Sequence, residues 1–475
     1  MADESATYDI PQSIRDAVRA MGYPMPYDKM RSHIRRWDDL LASRGDFWDY
    51  TEREGATVYR VKRRTIHPAR TCCDEWASLI FNDKTQAVCE EQACTDWLAD
   101  RLAALGFWGD AQDAASDAMG LGTAAFALWV DTSTGAVLPR SYDATMTLPL
   151  SWDVDGVTEC AFATRVCEQG RELDQLQMHV LEGGSYVIRT LLFDHETGER
   201  VHLDGVEDEL RTSCDTPTFG VLKPAIPNRV VKFSPYGCSL AEGNADVFQS
   251  VDACYDAVMA EVTLARMRVL MPDSMFEQTT GKDGRTVFVP FGKSDTSVFR
   301  MVPGNGVDDG IHEWAPAMRT ESQKSAYRLA VQTMGQKCGF GAQYWDVDKS
   351  GGLKTATEVS SDNSALMRNI KRHENAFAKP VADVCRALCV LSTEFGGAQL
   401  PDPGHIDVTW DDSIITDTAS EKAQDLAEVN VTMPAWYYAA KWYGMTEEQA
   451  RAFVPGSTEA PEPSPFEDAG DEGLA

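Results

Sequence analysis

Residues 244–272 read NADVFQSVDACYDAVMAEVTLARMRVLMP. Apolar side chains at Val247, Phe248, Val251, Cys254, Tyr255, Val258, Met259, Val262 and Ala265 recur every three or four positions, the spacing of one helical face. The pattern predicts a helix over Asn244–Leu270 that stops at Met271-Pro272. Its 27 residues would make a rod of ~40 Å at 1.5 Å per residue. Beyond Pro272 the pattern changes. Thr286–Phe291 and Ser297–Val302 read as short strands among glycine-rich turns, and a second helix is predicted from Ala317 to Gly335. The plain reading is a helix out, a small β module and a helix back.

On the N-terminal side, amphipathic stretches predict helices at Asp28–Ala42, Pro68–Phe81 and Glu90–Leu105. After Gly122 the runs turn β-rich, with strands expected at Ala125–Val130, Thr145–Leu150, Val157–Val166 and Tyr186–Phe193. On the C-terminal side, Gly339, Gly341, Gly351 and Gly352 mark a loop, and Thr355-Ala356-Thr357-Glu358 offers a capping-box start. The stripe Val359, Leu366, Ile370, Phe377, Val381, Val384, Leu388, Leu391, Phe395 predicts one very long helix, kinked at Pro380 because that residue cannot donate to the Ala376 carbonyl. A strand at His405–Trp410, an acidic turn and short helices at Ala419–Asn430, Pro434–Tyr443 and Thr446–Phe453 follow. The Pro-, Glu- and Asp-rich stretch Pro455–Ala475 has the composition of a disordered tail.

Across 475 residues the formal net charge is -30. That field repels polyanions and anionic lipid at long range, which disfavours a broad phosphate-gripping face. No apolar run approaches the ~18 residues of a spanning helix, and the N-terminal residues carry no secretory pattern. With twelve cysteines and no CxxC pair, reduced thiols buried in a cytosolic core are expected. Charge is also uneven. Residues 311–380 hold ten Lys/Arg against seven Asp/Glu, while residues from 401 onward hold sixteen acids and three bases. A Lys-dotted middle within an acidic shell permits weak phosphate contact without a tight grip.

Motifs for chemistry fall to plainer explanations. Gly292-Lys293-Ser294 resembles the end of a phosphate loop, but Val287 stands where the first glycine must be. Gly237-Cys238-Ser239-Leu240-Ala241 resembles a nucleophile elbow whose last glycine is replaced, with no partner acid or histidine suggested. Cys385 and Cys389, one turn apart with His373 upstream, could chelate a metal, yet they lie along the apolar stripe and read as core thiols. Asp411, Asp412 and Asp417 could bind a divalent ion or form a solvated turn. The basic run Arg60, Lys62, Arg63, Arg64 reads as a solvated strand face. No cofactor, metal or catalytic residue is expected, and the chain is read as no enzyme.

Several of these pieces, in their order, resemble the portal (head-to-tail connector) family of long-tailed bacteriophages. Pro235-Tyr236-Gly237-Cys238-Ser239, followed by the long helix with Asp252, Tyr255 and Glu261, is similar to the segment leading into that family's stem. Thr355–Val359 is similar to the start of its long kinked helix. Asp407–Asp417, with Glu447-Glu448-Gln449-Ala450, resembles its C-terminal crown. The resemblance implies an α+β, portal-like fold: a mixed wing over 1–240, stem helices over 241–271 and 312–338, a β-rich clip over 272–311, a candidate tunnel loop over 339–354, a long kinked wing helix over 355–400, a helical crown over 401–454 and the acidic tail over 455–475.

The function it implies is a ring, commonly a dodecamer, at a unique capsid vertex of the virion, assembled in the host cytoplasm. Double-stranded DNA would pass through the ring without sequence specificity. A terminase motor would supply the ATPase, with the major capsid and scaffolding proteins and a head-tail adaptor as further partners, and no membrane. Lys349 and Lys354 are the candidate channel residues facing DNA; Lys282, Arg285 and Lys293 are the basic residues of the adaptor-facing clip. Two other classes compete: another head structural protein, such as a minor capsid or decoration protein, and a cytosolic hydrolase.

Overall fold

The structure, a computed structural model, describes residues 8–82, 84–132, 134–168, 170–203, 206–272, 277–280, 286–289, 299–302, 312–345, 356–410, 422, 425–429, 433–443 and 445–454, with backbone alone in the strands between 277 and 302 and over 356–364. The chain divides into two units, Met1–Gly351 with Ala365–Trp410, and Gly352–Ser364 with Asp411–Ala475.

The first unit begins with α1 (Gln12–Ala20) and α2 (Tyr27–Leu41), a hairpin of β1 (Asp49–Glu54) and β2 (Thr57–Lys62), then α3 (Pro68–Ile80), β3 (Gln86–Cys89), α4 (Gln92–Leu105) and α5 (Phe107–Leu121). Helix α2 buries Met30, Ile34, Trp37 and Leu41, a three-four repeat on one face. Helix α5 is enclosed: Ala111, Ala114, Ala115, Ala118 and Met119 are all buried. Its small side chains let neighbours approach closely, and a Cβ on Gly120 would lie 2.7 Å from a Leu41 methyl.

Strands β4 (Ala124–Asp131) and β5 (Ala136–Asp143) join β12 (Phe219–Leu222) in an antiparallel sheet ordered β12-β4-β5. Between them in sequence, β6 (Thr147–Trp152), β7 (Val157–Glu168), β8 (Arg171–Glu182), β9 (Ser185–Asp194), β10 (Arg200–Val201) and β11 (Glu209–Arg211) form an antiparallel meander ordered β10-β9-β8-β7-β6, with β11 also paired to β9. Ala125, Ala127, Tyr142, Cys160, Phe162, Tyr186, Phe219 and Val221 form one buried cluster drawn from both sheets. Each large side chain so enclosed stabilises the fold by roughly 1.5–3 kcal/mol.

The decisive stretch folds as α6 (Ala245–Leu264), which is shorter than the expected helix. Its 20 residues span ~30 Å rather than ~40 Å. Residues Arg268–Pro272 are a strand, β13, paired in parallel with β16 (Phe299–Val302) and antiparallel with β17 (His312–Trp314). An apolar run before a proline has no periodicity that separates helix from strand, so partners distant in sequence decide its state. Strands β14 (Glu277–Thr280) and β15 (Thr286–Val289) form a separate hairpin. Helix α7 (Thr320–Lys337) starts three residues later than the sequence suggests.

Helix α8 (Ala356–Glu394) carries Pro380 in its interior. Strand β12 lies against that position so closely that a Cβ on Gly220 would meet the Pro380 carbonyl oxygen at 2.3 Å. Beyond α8, β18 (Ile406–Thr409) returns to pair with β3. In the second unit, α9 (Ala435–Tyr443) and α10 (Glu447–Phe453) carry an aromatic cluster. Asp425 accepts from Lys441 Nζ at 2.7 Å and Trp442 Nε1 at 2.8 Å, and the Arg451 guanidinium lies 4.4 Å from the Trp436 ring centre. Thr446 and Gln449 form a capping box at the start of α10.

Candidate functional site

The feature that stands apart is the antiparallel pair α6 and α7, rooted in the first unit. The root is built by the Pro235–Ser239 segment. Tyr236 is buried and its hydroxyl donates to the Thr147 carbonyl at 2.6 Å. The Gly237 amide donates to Thr123 Oγ1 at 3.0 Å, and a Cβ on Gly237 would sit 2.1 Å from the Gly122 carbonyl oxygen. Only glycine allows that contact. Ser239 Oγ donates to the Gly120 carbonyl at 2.5 Å and accepts from the Ala241 amide at 2.9 Å. The hydroxyl that resembled a nucleophile is therefore a buried brace.

Asp252 fixes the lower part of α6. It is 0% exposed, and it accepts from Trp48 Nε1 at 2.8 Å, Thr65 Oγ1 at 2.6 Å and the Ile66 amide at 3.0 Å. A buried carboxylate is tolerated only where its lone pairs are so occupied. Above this anchor the pair emerges from the core. Phe248 and Val251 at the start of α6, and Val331 and Met334 at the end of α7, are buried; Val262, Leu264, Met318 and Leu329 are exposed. Arg319 clamps Glu261 across the pair, with Nη2 to Oε2 at 2.7 Å and Nε to Oε1 at 3.2 Å. Hydrogen bonds from this guanidinium and from the Arg319 backbone hold the Glu261 carboxyl below its usual range. An apolar groove of about 280 Å³ beside the clamp is lined by Val258, Val262, Met318 and Tyr327. At the far end, Arg268 of β13 stacks over Trp314 of β17 at 5.4 Å, a contact within the three-stranded sheet.

The loop after α7 starts at Gly339 (φ +91°) and Gly341 (φ +96°). Its first residues are anchored rather than free. Phe340 is buried and stacks on Trp76 at 4.7 Å between ring centres, Asn369 Nδ2 donates to the Gly339 carbonyl at 2.9 Å, and the Tyr344 hydroxyl donates to Glu75. Residues 342–345 form a turn. A polar cavity of about 220 Å³, lined by Lys337, Asn369, Arg372, His373, Glu242 and Asn244 among others, lies beside this anchorage.

Lys349, Lys354, Lys282, Arg285 and Lys293 all lie outside the described residues, as do Asp411, Asp412 and Asp417 and the tail from Pro455. His373 is buried, accepts the Ala225 amide through Nδ1 at 3.1 Å, and is pushed down to about 4 by burial and then by Arg372. Cys385 and Cys389 are buried, and desolvation raises both thiols. Arg60 and Lys62 lie on the exposed hairpin strand β2, as expected. Sequence reasoning missed Trp48 and Thr65, which meet Asp252 from almost two hundred residues away; a lone aspartate on an apolar helix face was the available signal.

No protein-family model matches the chain, and no curated protein is similar to it. Solved structures do align. A chain of the virion of a native gene transfer agent particle is 12% identical, covering 80% of this chain and 89% of that one at a TM-score of 0.38. A chain of the neck of the empty particle is 11% identical, covering 80% and 89% at 0.39. An HK97-family phage portal protein from Corynebacterium diphtheriae is 10% identical, covering 73% and 93% at 0.27.

Proposed function

We propose that the chain is a portal protein, closing into a ring, commonly of twelve copies, at one vertex of a phage capsid and forming the channel through which double-stranded DNA is packaged and ejected. The observation that carries this reading is the α6–α7 pair with its β module. Two rods rise from a hydrogen-bonded root and expose Val262, Leu264, Met318 and Leu329, apolar surface left uncovered among the described residues. Neighbouring copies packed head to tail would bury it, and a heterologous contact that closes makes a ring. The motif order of the sequence supports the same reading.

A net charge of -30 suits a wall along which DNA slides, because few neutralised phosphates means little counterion release and little affinity. In this reading the β module of residues 272–311 is the clip that meets a packaging motor and a head-tail adaptor, and Lys349 and Lys354 contact phosphate.

Negative-stain imaging of the purified chain tests the ring: closed rings are expected, and a chain that is only monomer or two-fold dimer under every assembly condition refutes it. Deleting Thr280–Asp295 should leave rings or partial rings while abolishing adaptor docking; normal docking rejects the clip assignment. Changing both lysines, Lys349→Glu with Lys354→Glu, should impair DNA packaging without altering assembly, and packaging of full genomes at the normal rate removes them from the channel.

A further inference from the structure

Phe233 is 95% exposed and holds φ +60°, a left-handed conformation that bulky residues rarely adopt. Such strain persists only where the surroundings impose it. Here Asn228 does so: its Oδ1 accepts from the amides of Val230 at 3.0 Å and Val231 at 3.1 Å, while its Nδ2 donates to the carbonyls of Tyr236 at 3.0 Å and Gly237 at 3.1 Å. The segment is thereby tied to the buried root and presents its aromatic ring to solvent. Arg229 and Lys232, which precede Phe233 in the same segment, are both exposed.

On the same unit lies a cavity of about 480 Å³ between the β6–β7 turn, β12 and α8 at Pro380. Its apolar lining includes Val157, Tyr186, Pro217, Phe219, Val221 and Pro380, and its rim carries Asp153, Asp155 and Asp383. Val154 is wholly exposed at the tip of the turn. Two cations also face the cavity, Lys379 beside Asp383 and the largely buried Lys223, so acids outnumber bases by one. Burial pushes the Lys223 ammonium below its usual range and the Asp383 carboxyl above it.

We propose that Phe233 of one copy inserts into this cavity on the next copy, with Arg229 and Lys232 meeting the acidic rim. A second copy is the occupant because the two surfaces are opposite in sign: an exposed aromatic ring on a segment that carries two cations, and an apolar hole edged by carboxylates. The contact is heterologous, knob on one copy and hole on the other, so repetition around an axis closes a ring. It rests on the portal reading and names one contact that would hold the ring together outside the stem.

The test compares ring yield by mass photometry for the full chain and four variants. Phe233→Asn suits the left-handed backbone, so its thermal midpoint should match or exceed the wild type while its ring yield falls at least tenfold. Lys232→Glu and Asp155→Lys should each lower ring yield severalfold, and the two combined in one chain should restore it to within twofold, since the reversed charges meet across every interface. Wild-type ring yield from Phe233→Asn, or a combined variant no better than its single members, overturns the contact while leaving the ring reading in place. A wild-type chain that never closes rings overturns both.

Discussion

Replacing Asp252 by alanine removes an acceptor that serves three donors at the root of the α6–α7 pair. Thr65 keeps a second partner, since Ser43 Oγ lies 2.9 Å from its hydroxyl. The Trp48 indole N–H and the Ile66 amide have none in reserve. Trp48 is only 2% exposed, so its orphaned N–H belongs near the top of the ~1–3 kcal/mol range for an unsatisfied buried donor. Ile66 is half-buried and reachable by water, which puts its amide near the bottom. The sum is a loss of about 3–4 kcal/mol, concentrated where α6 joins the hairpin segment. Asp252→Asn retains one oxygen and sets an amide against the remaining donors; because the Thr65 hydroxyl can turn to accept from that amide, about half the loss is expected. The assay is urea unfolding followed by tryptophan fluorescence, with hydrogen exchange over residues 245–264 to localise the effect. If Asp252→Ala costs under about 1 kcal/mol, or if exchange in α6 is unchanged, the carboxylate is not the anchor described.

Gly237→Ala should cost about 3 kcal/mol or abolish soluble expression, because its Cβ would lie 2.1 Å from a backbone oxygen that cannot move aside; soluble yield and thermal midpoint report it. His179 is buried, and its pKa is pushed down to about 3 by desolvation. Its folded value lies below its unfolded one, so the stability it contributes is present above pH ~6.5 and declines as pH falls, by up to ~1.4 kcal/mol per pH unit. His179→Gln should flatten the dependence of the thermal midpoint on pH between about 6.5 and 4. Of the twelve cysteines, Cys167 is exposed, Cys254 intermediate and the rest buried. A thiol reagent should label Cys167 first in the native protein and reach all twelve only on unfolding.

Which elements were legible follows from what kind of signal each carried. The helices at Pro68–Ile80 and Ala356–Glu394 and the strand Val157–Glu168 were readable because long periodic runs repeat one signal many times. Helix α5 was not, since alanines and glycines supply little periodicity and its place at the centre of the unit comes from close packing. Strand β8 was missed for another reason. The middle of β8 is buried at every residue from Leu173 to Val180, including Asp174, Gln175, Gln177 and His179, so polar residues that suggest solvent lie inside the core, where Asp174, Gln177 and the His179 Nδ1 atom find hydrogen-bond partners.

The α6–α7 pair shows the division most clearly. Its sequence determined by itself that an apolar-striped helix begins after Asn244, that a β-rich excursion follows and that a second helix returns, because those features depend on local periodicity and on proline and glycine. It also determined the net charge and therefore the long-range repulsion of polyanions. Tertiary structure alone decided where the first helix ends, because strands 299–302 and 312–314 compete for residues 268–272 with hydrogen bonds that no local pattern encodes. It alone gave Asp252 its purpose and bared Phe233. A buried charge needs donors, and an exposed ring needs the absence of neighbours; both are facts about residues far away along the chain.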